Sequence, residues 1–308
     1  MTLALTPYDA LPPLLLEELT KGGLDPRATY DLVAAALAED VPTEDVTSAA
    51  TIATDARGVA DFNAREPGVV AGLGVAELVF RMVLGGGSDG VDVPLRISDG
   101  TAVAPGDAVL TVAGPVRGLL TAERTALNIA CHLSGVATAT AAWVAALEGT
   151  RARVLDTRKT LPGLRALQKY AVACGGGVNH RFSLSDRAMV KDNHVLAAGG
   201  VVPAYRAVRA AYPDLRVEVE VTDLDQLREL LEAGCTEILL DNMPTATMAE
   251  AVAINAGRAT LEASGGLTIE RAREVAETGV DFISVGALTH SVKVFDLGMD
   301  LRDDSARG

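Results

Sequence analysis

The sequence predicts an α/β protein, an open or incomplete barrel of parallel strands preceded by a smaller N-terminal α+β domain. Three observations carry this expectation. After Thr150, apolar segments that each end in a polar residue or glycine alternate with helical patterns: RVLDT, RVEVEV, EILLDN, TLEASGG and FISVGA. The last four place Glu220, Asp241, Ser264 and Gly286 at their C-terminal ends, with spacings of 21, 23 and 22 residues, the period of one βα unit. Between Arg57 and Gly118 the apolar runs are instead short and divided by turn signals, as in a small mixed domain.

Taken in order, the first element is a helix expected over Pro26–Ala38. Leu32, Val33, Ala36 and Leu37 share one of its faces, and the acidic, proline-containing stretch from Glu39 to Asp45 stops it. Strand-like runs follow at Val59–Phe62, Val69–Ala71, Pro94–Ile97 and Ala108–Val112. They are separated by Pro67-Gly68, Gly85-Gly86-Gly87, Asp99-Gly100 and Pro105-Gly106-Asp107, with Val75–Val83 as an inner helix. Thr121 is expected to cap a long alanine-rich helix running to about Leu147. Glu123 then lies where the helix dipole favours an anion, and Arg124 where a cation is disfavoured. The expected domains are 1–125 and 126–290, with the tail 291–308 packed back on the first.

Composition narrows the function classes. The 308 residues carry 27 Lys plus Arg against 41 Asp plus Glu, a formal charge of −14, which argues against a nucleic-acid partner. Half the chain is hydrophobic and 22% charged, the composition of an ordinary globular protein. The N-terminus has no basic segment, and its apolar run Leu14-Leu15-Leu16 is too short for a signal core or a membrane span, so the expectation is a cytoplasmic protein without a membrane partner. Cys131, Cys174 and Cys235 match neither a disulfide framework nor a metal motif and read as buried thiols.

The charge is unevenly spread. Asp156 to His194 holds three of the five lysines, four arginines and a net charge of +4, which leaves −18 on the rest. A cationic island in an acidic protein suits a polyanionic small molecule. Arg158 and Lys159, at a strand end, offer bidentate recognition of a carboxylate or phosphate beside a compact point charge. Glu218 and Glu220 lie two apart in a strand and face the same way, opposite Val217, Val219 and Val221. Together with Asp241, Glu220 is suited to hold Mg²⁺ next to substrate phosphates. Ser264-Gly265-Gly266 and Gly286-Ala287, at successive strand ends before helices, are suited to a phosphate held by backbone N–H groups. Other signals fail. Gly72-Leu73-Gly74 has Glu77 where a dinucleotide fingerprint needs glycine, the four histidines show no zinc spacing, and neither a P-loop nor a nucleophile elbow occurs.

The stretches EDVPTEDVTS, AERTALNIACHLSGVAT, DTRKTLPGLRALQKYAVACGGGVNHRFSLSD, MVKDNHV, VEVEV, LLDNM, EASGG and VGALTHS together resemble the quinolinate phosphoribosyltransferases over nearly the whole chain. That resemblance implies Mg²⁺-dependent transfer of phosphoribose from phosphoribosyl pyrophosphate to the ring nitrogen of quinolinate, with loss of CO₂, to give nicotinate mononucleotide for NAD biosynthesis. It implies that Arg124, Arg158, His180, Arg181 and Lys191 bind quinolinate. Lys159, Glu220 and Asp241 would surround the pyrophosphate, ribose and metal, and Ser264, Gly265 and Gly286 the 5-phosphate. Lys159, Lys191, Glu220 and Asp241 are the expected catalytic groups. It further implies a homodimer, with a hexamer of such dimers as the larger alternative, in which Arg124 reaches the neighbouring subunit's site. The alternatives are a phosphoribosyltransferase of the same fold acting on another heteroaromatic acid, and a sugar-phosphate-binding regulatory barrel without turnover.

Overall fold

The structure is a computed structural model and describes residues 3–87 and 90–302. The chain opens with α1 (Pro13–Lys21), α2 (Pro26–Asp40), α3 (Val46–Thr51), β1 (Arg57–Ala64), β2 (Gly68–Val69), α4 (Leu73–Leu84), β3 (Asp92–Arg96), β4 (Ala102–Val103) and β5 (Ala108–Pro115). Then come α5 (Val116–Ala146), β6 (Arg153–Leu155), α6 (Arg165–Cys174), β7 (Ala188–Val190), α7 (Asp192–Ala198), α8 (Val201–Ala211) and β8 (Val217–Val221). The series closes with α9 (Leu224–Glu232), β9 (Glu237–Asp241), α10 (Thr245–Asn255), β10 (Thr260–Ser264), α11 (Ile269–Glu277), β11 (Phe282–Ser284), α12 (Ala287–His290) and β12 (Leu297–Leu301). Two compact units divide it: Met1–Ala139 with Pro162–Gly175 and Val292–Gly308, and Thr140–Leu161 with Gly176–Ser291. The boundary expected at 125/126 falls inside α5.

In the first unit an antiparallel sheet has the order β12-β1-β5-β3, and β2 and β4 form a second small sheet. Strand β12 joins at the edge of β1, with Ala60 opposite Leu301 and Ala64 opposite Leu297. The helices obey local chemistry. Asp25 caps α2 by accepting from the amides of Arg27 and Ala28, with Pro26 at the first helical position. Asp45, expected only to break a helix, caps the short α3 through the Ser48 amide. Buried Glu77 on α4 is paired with Arg81 and Arg96, the latter at 2.7 Å, which offsets the cost of burying its charge.

Helix α5 departs from expectation. It begins at Val116, directly after β5, where the Val116 amide bonds to the Ala56 carbonyl at 3.0 Å. Thr121 is therefore interior and caps nothing. Its hydroxyl donates to the Arg117 carbonyl one turn back, at 2.8 Å, and lies 3.0 Å from Asp45. Arg124 then sits beyond the first turn, where the helix dipole weighs little. By length and composition α5 is apolar enough to cross a membrane, but Leu119, Ala126, Leu127, Ala130 and Leu133 are buried, as in a core helix.

The second unit holds a six-stranded parallel sheet in the order β6-β11-β10-β9-β8-β7. This is the circular order of a βα barrel opened between β6 and β7, and it places all strand C-termini at one end. At the opening, Val178 bridges to Leu155 beside β6, with hydrogen bonds of 2.8 and 3.1 Å. Strand β8 is buried on both faces: Val217, Val219 and Val221 on one, Glu218 on the other. In a sheet covered on both sides, a charged residue at such a position faces other charges rather than water.

Candidate active site

At the strand C-termini of the second unit lies a cavity of about 280 Å³. It collects six of the residues singled out from the sequence: Arg158 and Lys159 after β6, His180 and Arg181 in the following connection, Lys191 after β7, and Ser264 at the end of β10. Thr157, Met189, Leu239, Glu262 and Ser284 complete the lining. The register of the parallel strands sets Glu220, Leu239 and Glu262 side by side. Arg124 is exposed on α5 in the first unit and does not line this cavity.

The cations are preorganised. The Nε of Arg158 is buried and has no hydrogen-bond partner, so a strong donor stands ready for an acceptor. Burial and the like charge of Arg158 lower the pKa of Arg181, whose Nη1 is held by the Arg187 carbonyl at 3.2 Å. The loop carrying Arg181 is tied by Asp186, whose carboxylate accepts from the amides of Phe182 (2.6 Å) and Ser183 (2.9 Å). Those bonds outweigh burial and hold Asp186 down at about 2. Lys159 is fixed through its backbone: its amide donates to the Thr157 hydroxyl at 3.0 Å, and its carbonyl accepts from Thr289 Oγ1 at 2.7 Å.

His180 is buried beneath these groups. Its amide donates to the Asp156 carboxylate at 2.9 Å, and its Nε2 lies 2.8 Å from Glu218 and 3.3 Å from Glu262. Burial would lower the imidazole pKa, but the two carboxylates outweigh it and raise it to about 9. The Arg181 amide points at Nδ1 from 2.6 Å and favours the neutral ring. A neutral hydrogen bond is weaker than charge pairing with two carboxylates in a buried site, so the cation prevails and that amide contact loosens.

Beside the cavity, Lys191 Nζ lies 3.5 Å from Glu220. Burial raises the Glu220 pKa and the nearby Asp241 raises it further, while Lys191 opposes both. Two hard oxygen donors that repel each other at a strand-end opening have the chemistry Mg²⁺ requires, so these residues fit such an ion. Asp241 is oriented by Asn242 Nδ2 at 2.8 Å.

The glycines are demanded by space. Gly265 has φ +99°, and a Cβ there would stand 2.2 Å from Asn242 Oδ1. At Gly286 a Cβ would stand 2.9 Å from Lys159 Cδ and 3.3 Å from His290 Nε2. Sequence reasoning missed Glu262 and Ser284 as site residues. The signal was present in TLEAS, where a carboxylate two residues before the strand end repeats the Glu218–Glu220 spacing of VEVEV.

A cavity of clustered cations, flanked by a carboxylate pair and glycine loops at the ends of parallel strands, defines an α/β protein built to take up polyanionic small molecules. Residues 45–134 match the N-terminal domain and residues 136–300 the C-terminal domain of quinolinate phosphoribosyl transferase. The chain belongs to the quinolinate phosphoribosyl transferase family. It is 52% identical over 278 residues to the carboxylating nicotinate-nucleotide pyrophosphorylase of Mycobacterium leprae, covering 89% of this chain and 97% of that one. Among solved structures it is similar to NadC from Streptococcus pyogenes, with a TM-score of 0.84, 40% identity and coverage of 95% and 99%. It is also similar to the nicotinate-nucleotide pyrophosphorylase from Francisella tularensis, with a TM-score of 0.85, 35% identity and coverage of 98% and 99%.

Proposed function

We propose that the protein transfers phosphoribose from phosphoribosyl pyrophosphate to the ring nitrogen of quinolinate and removes one carboxylate as CO₂, giving nicotinate mononucleotide and pyrophosphate. Family membership supports this reaction. The observation that carries it at the level of residues is the buried, unpartnered Arg158 Nε in a cavity with Lys159, His180, Arg181 and Lys191. Such a donor set suits an acceptor bearing two carboxylates, because each anionic arm gains a charged partner.

In this reading Arg158, His180, Arg181 and Lys191 orient quinolinate so that its ring nitrogen faces the anomeric carbon. Ser264 and the N–H groups around Gly265 and Gly286 hold the 5-phosphate. The C–O bond to pyrophosphate breaks as the C–N bond forms, and Lys159 neutralises charge on the leaving group. Glu220 and Asp241 stabilise positive charge at the anomeric carbon and would hold Mg²⁺, which when bound supplies charge neutralisation for the pyrophosphate. Alkylation makes the ring nitrogen cationic. The electron pair left by the departing CO₂ then stays on the ring carbon until a proton, from Lys191 or His180, replaces it.

We extend the reading to a homodimer in which Arg124, exposed on α5, completes the neighbouring subunit's site. Exposed Leu184, Leu196 and Tyr212 around α7 and α8 are in keeping with a covered face. The three free cysteines suit a reducing cytoplasm. The test is the purified protein given quinolinate, phosphoribosyl pyrophosphate and Mg²⁺. Quinolinate-dependent CO₂ and nicotinate mononucleotide, lost with a chelator and restored by Mg²⁺, are expected. Equal turnover of nicotinate would overturn the assignment of the acceptor.

A further inference from the structure

We infer that Glu218 and Glu262 are positioning residues for acceptor binding: from two different strands they grip the same nitrogen of His180 and fix the ring that faces the cavity. The inference rests on the proposed reaction, in which His180 meets an anionic acceptor, and it adds the pair of groups that make His180 able to do so.

Glu218 and Glu262 belong to β8 and β10 and are almost wholly buried, with the His180 Nε2 between them at 2.8 and 3.3 Å. Neither carboxylate is loosely held. The other oxygen of Glu218 forms an ion pair with Arg187 Nη2 at 3.0 Å, and Arg187 is itself paired with Glu237, which Arg216 holds from the far side at 2.7 Å. The other oxygen of Glu262 accepts from the Ser284 hydroxyl. The ring is thus held at Nε2 by the carboxylates, and the backbone that carries it is tied by its amide to Asp156 at 2.9 Å.

Two buried carboxylates beside a site for a dianion would repel that ligand if they stood alone. At its ring the charges that face His180 are Glu218 on β8 and Glu262 on β10, with Arg187 behind Glu218 and the guanidinium groups of Arg158 and Arg181 on the cavity side, while a third buried carboxylate, Asp156, is engaged by the His180 backbone amide. Two negative charges below and cations above leave an imidazolium as the group that joins them. It neutralises the carboxylates and offers its positive charge upward. The Oε2 of Glu262 makes no aligned hydrogen bond, so its charge acts on the ring through space rather than by claiming the proton. The same three residues would also suit a buried metal ion by donor type. A hydrogen-bond length between Nε2 and Glu218, and the engagement of Glu218 with Arg187, favour the proton.

The sign of the pH effect follows. A ring whose pKa is raised to about 9 keeps its charge below that pH and loses it as pH rises through 9. The kcat/KM for quinolinate is therefore expected to fall along an alkaline limb near pH 9. Glu262→Gln and Glu218→Gln are expected to raise KM for quinolinate about 10- to 100-fold, the scale of one charged hydrogen bond. KM for phosphoribosyl pyrophosphate should change less than about twofold, and the alkaline limb should move toward the ordinary imidazole value of about 6.5. A purely structural role would lower Tm and shift both KM values together without moving the limb, and that result overturns the inference.

The direct readout is the ¹⁵N titration of the His180 ring in the full-length wild-type protein, which needs neither a variant nor activity. A ring still protonated at pH 8 supports the clamp, whereas a midpoint at or below about 6.5 overturns it. A stoichiometric metal ion that co-purifies with wild type and is lost from Glu262→Gln would also overturn it. If the wild type makes no nicotinate mononucleotide, the proposed reaction fails while the titration still decides the clamp, so the two failures are distinguishable.

Discussion

Replacing Arg158 by alanine separates stability from function. The side chain lines the cavity, its buried Nε has no partner, and it lies close enough to Arg181 to lower that group's pKa. Removing it leaves no acceptor stranded and relieves a repulsion between like charges. Thermal stability is therefore expected to stay within about 0.5 kcal/mol of wild type, or to rise slightly. Binding of the acceptor's transition state loses a charged donor in a site shielded from water, worth about 2–4 kcal/mol. At 1.36 kcal/mol per decade this is a fall of about 30- to 900-fold in kcat/KM for quinolinate. The assay pairs steady-state kinetics, varying quinolinate at saturating phosphoribosyl pyrophosphate, with a thermal melt. An unchanged kcat/KM would refute the role given to Arg158. A large loss of Tm would refute the premise that its guanidinium is held in readiness rather than used by the fold.

Two further outcomes follow from geometry. Gly265→Ala adds a Cβ 2.2 Å from Asn242 at a φ of +99°, and Asn242 cannot move aside without leaving Asp241. The backbone conformation costs about 1–2 kcal/mol and the overlap about 1–3 kcal/mol. The melt should fall and KM for phosphoribosyl pyrophosphate should rise, with KM for quinolinate nearly constant; equal effects on both substrates would argue against a 5-phosphate loop. Subunits carrying Arg124→Ala mixed with equal amounts of subunits carrying Arg158→Ala should recover about a quarter of wild-type activity, and purified heterodimers about half, because one site of each heterodimer holds both arginines. Inactive heterodimers, verified as such by mass, would argue against a shared site.

Much of this molecule is legible in one dimension. The period near 22 residues sets Glu220, Asp241, Ser264 and Gly286 at successive strand ends, because each βα unit returns the chain to the same edge of the sheet. The cationic island is equally legible, since charge is a property of composition. Local rules placed α2, and the structure adds the Asp25 cap that precedes it. They misplaced the start of α5, because a threonine followed by Glu123 looks like a cap wherever it occurs. Only the pairing of β5 with β1 and the Val116–Ala56 hydrogen bond show that the helix is already under way.

What the sequence determined by itself is the repeat, the kinds of side chain at the strand ends and hence the ligand chemistry. Tertiary structure decided which carboxylates work together. Glu218 and Glu262 are 44 residues apart and become partners because β9 lies between their strands in the sheet order. No spacing rule anticipates that two strands flanking a third will turn glutamates toward one histidine from a separate connection. Pairing of strands is local in the sheet but distant in the chain, so the charge state of His180 exists only once the barrel has formed.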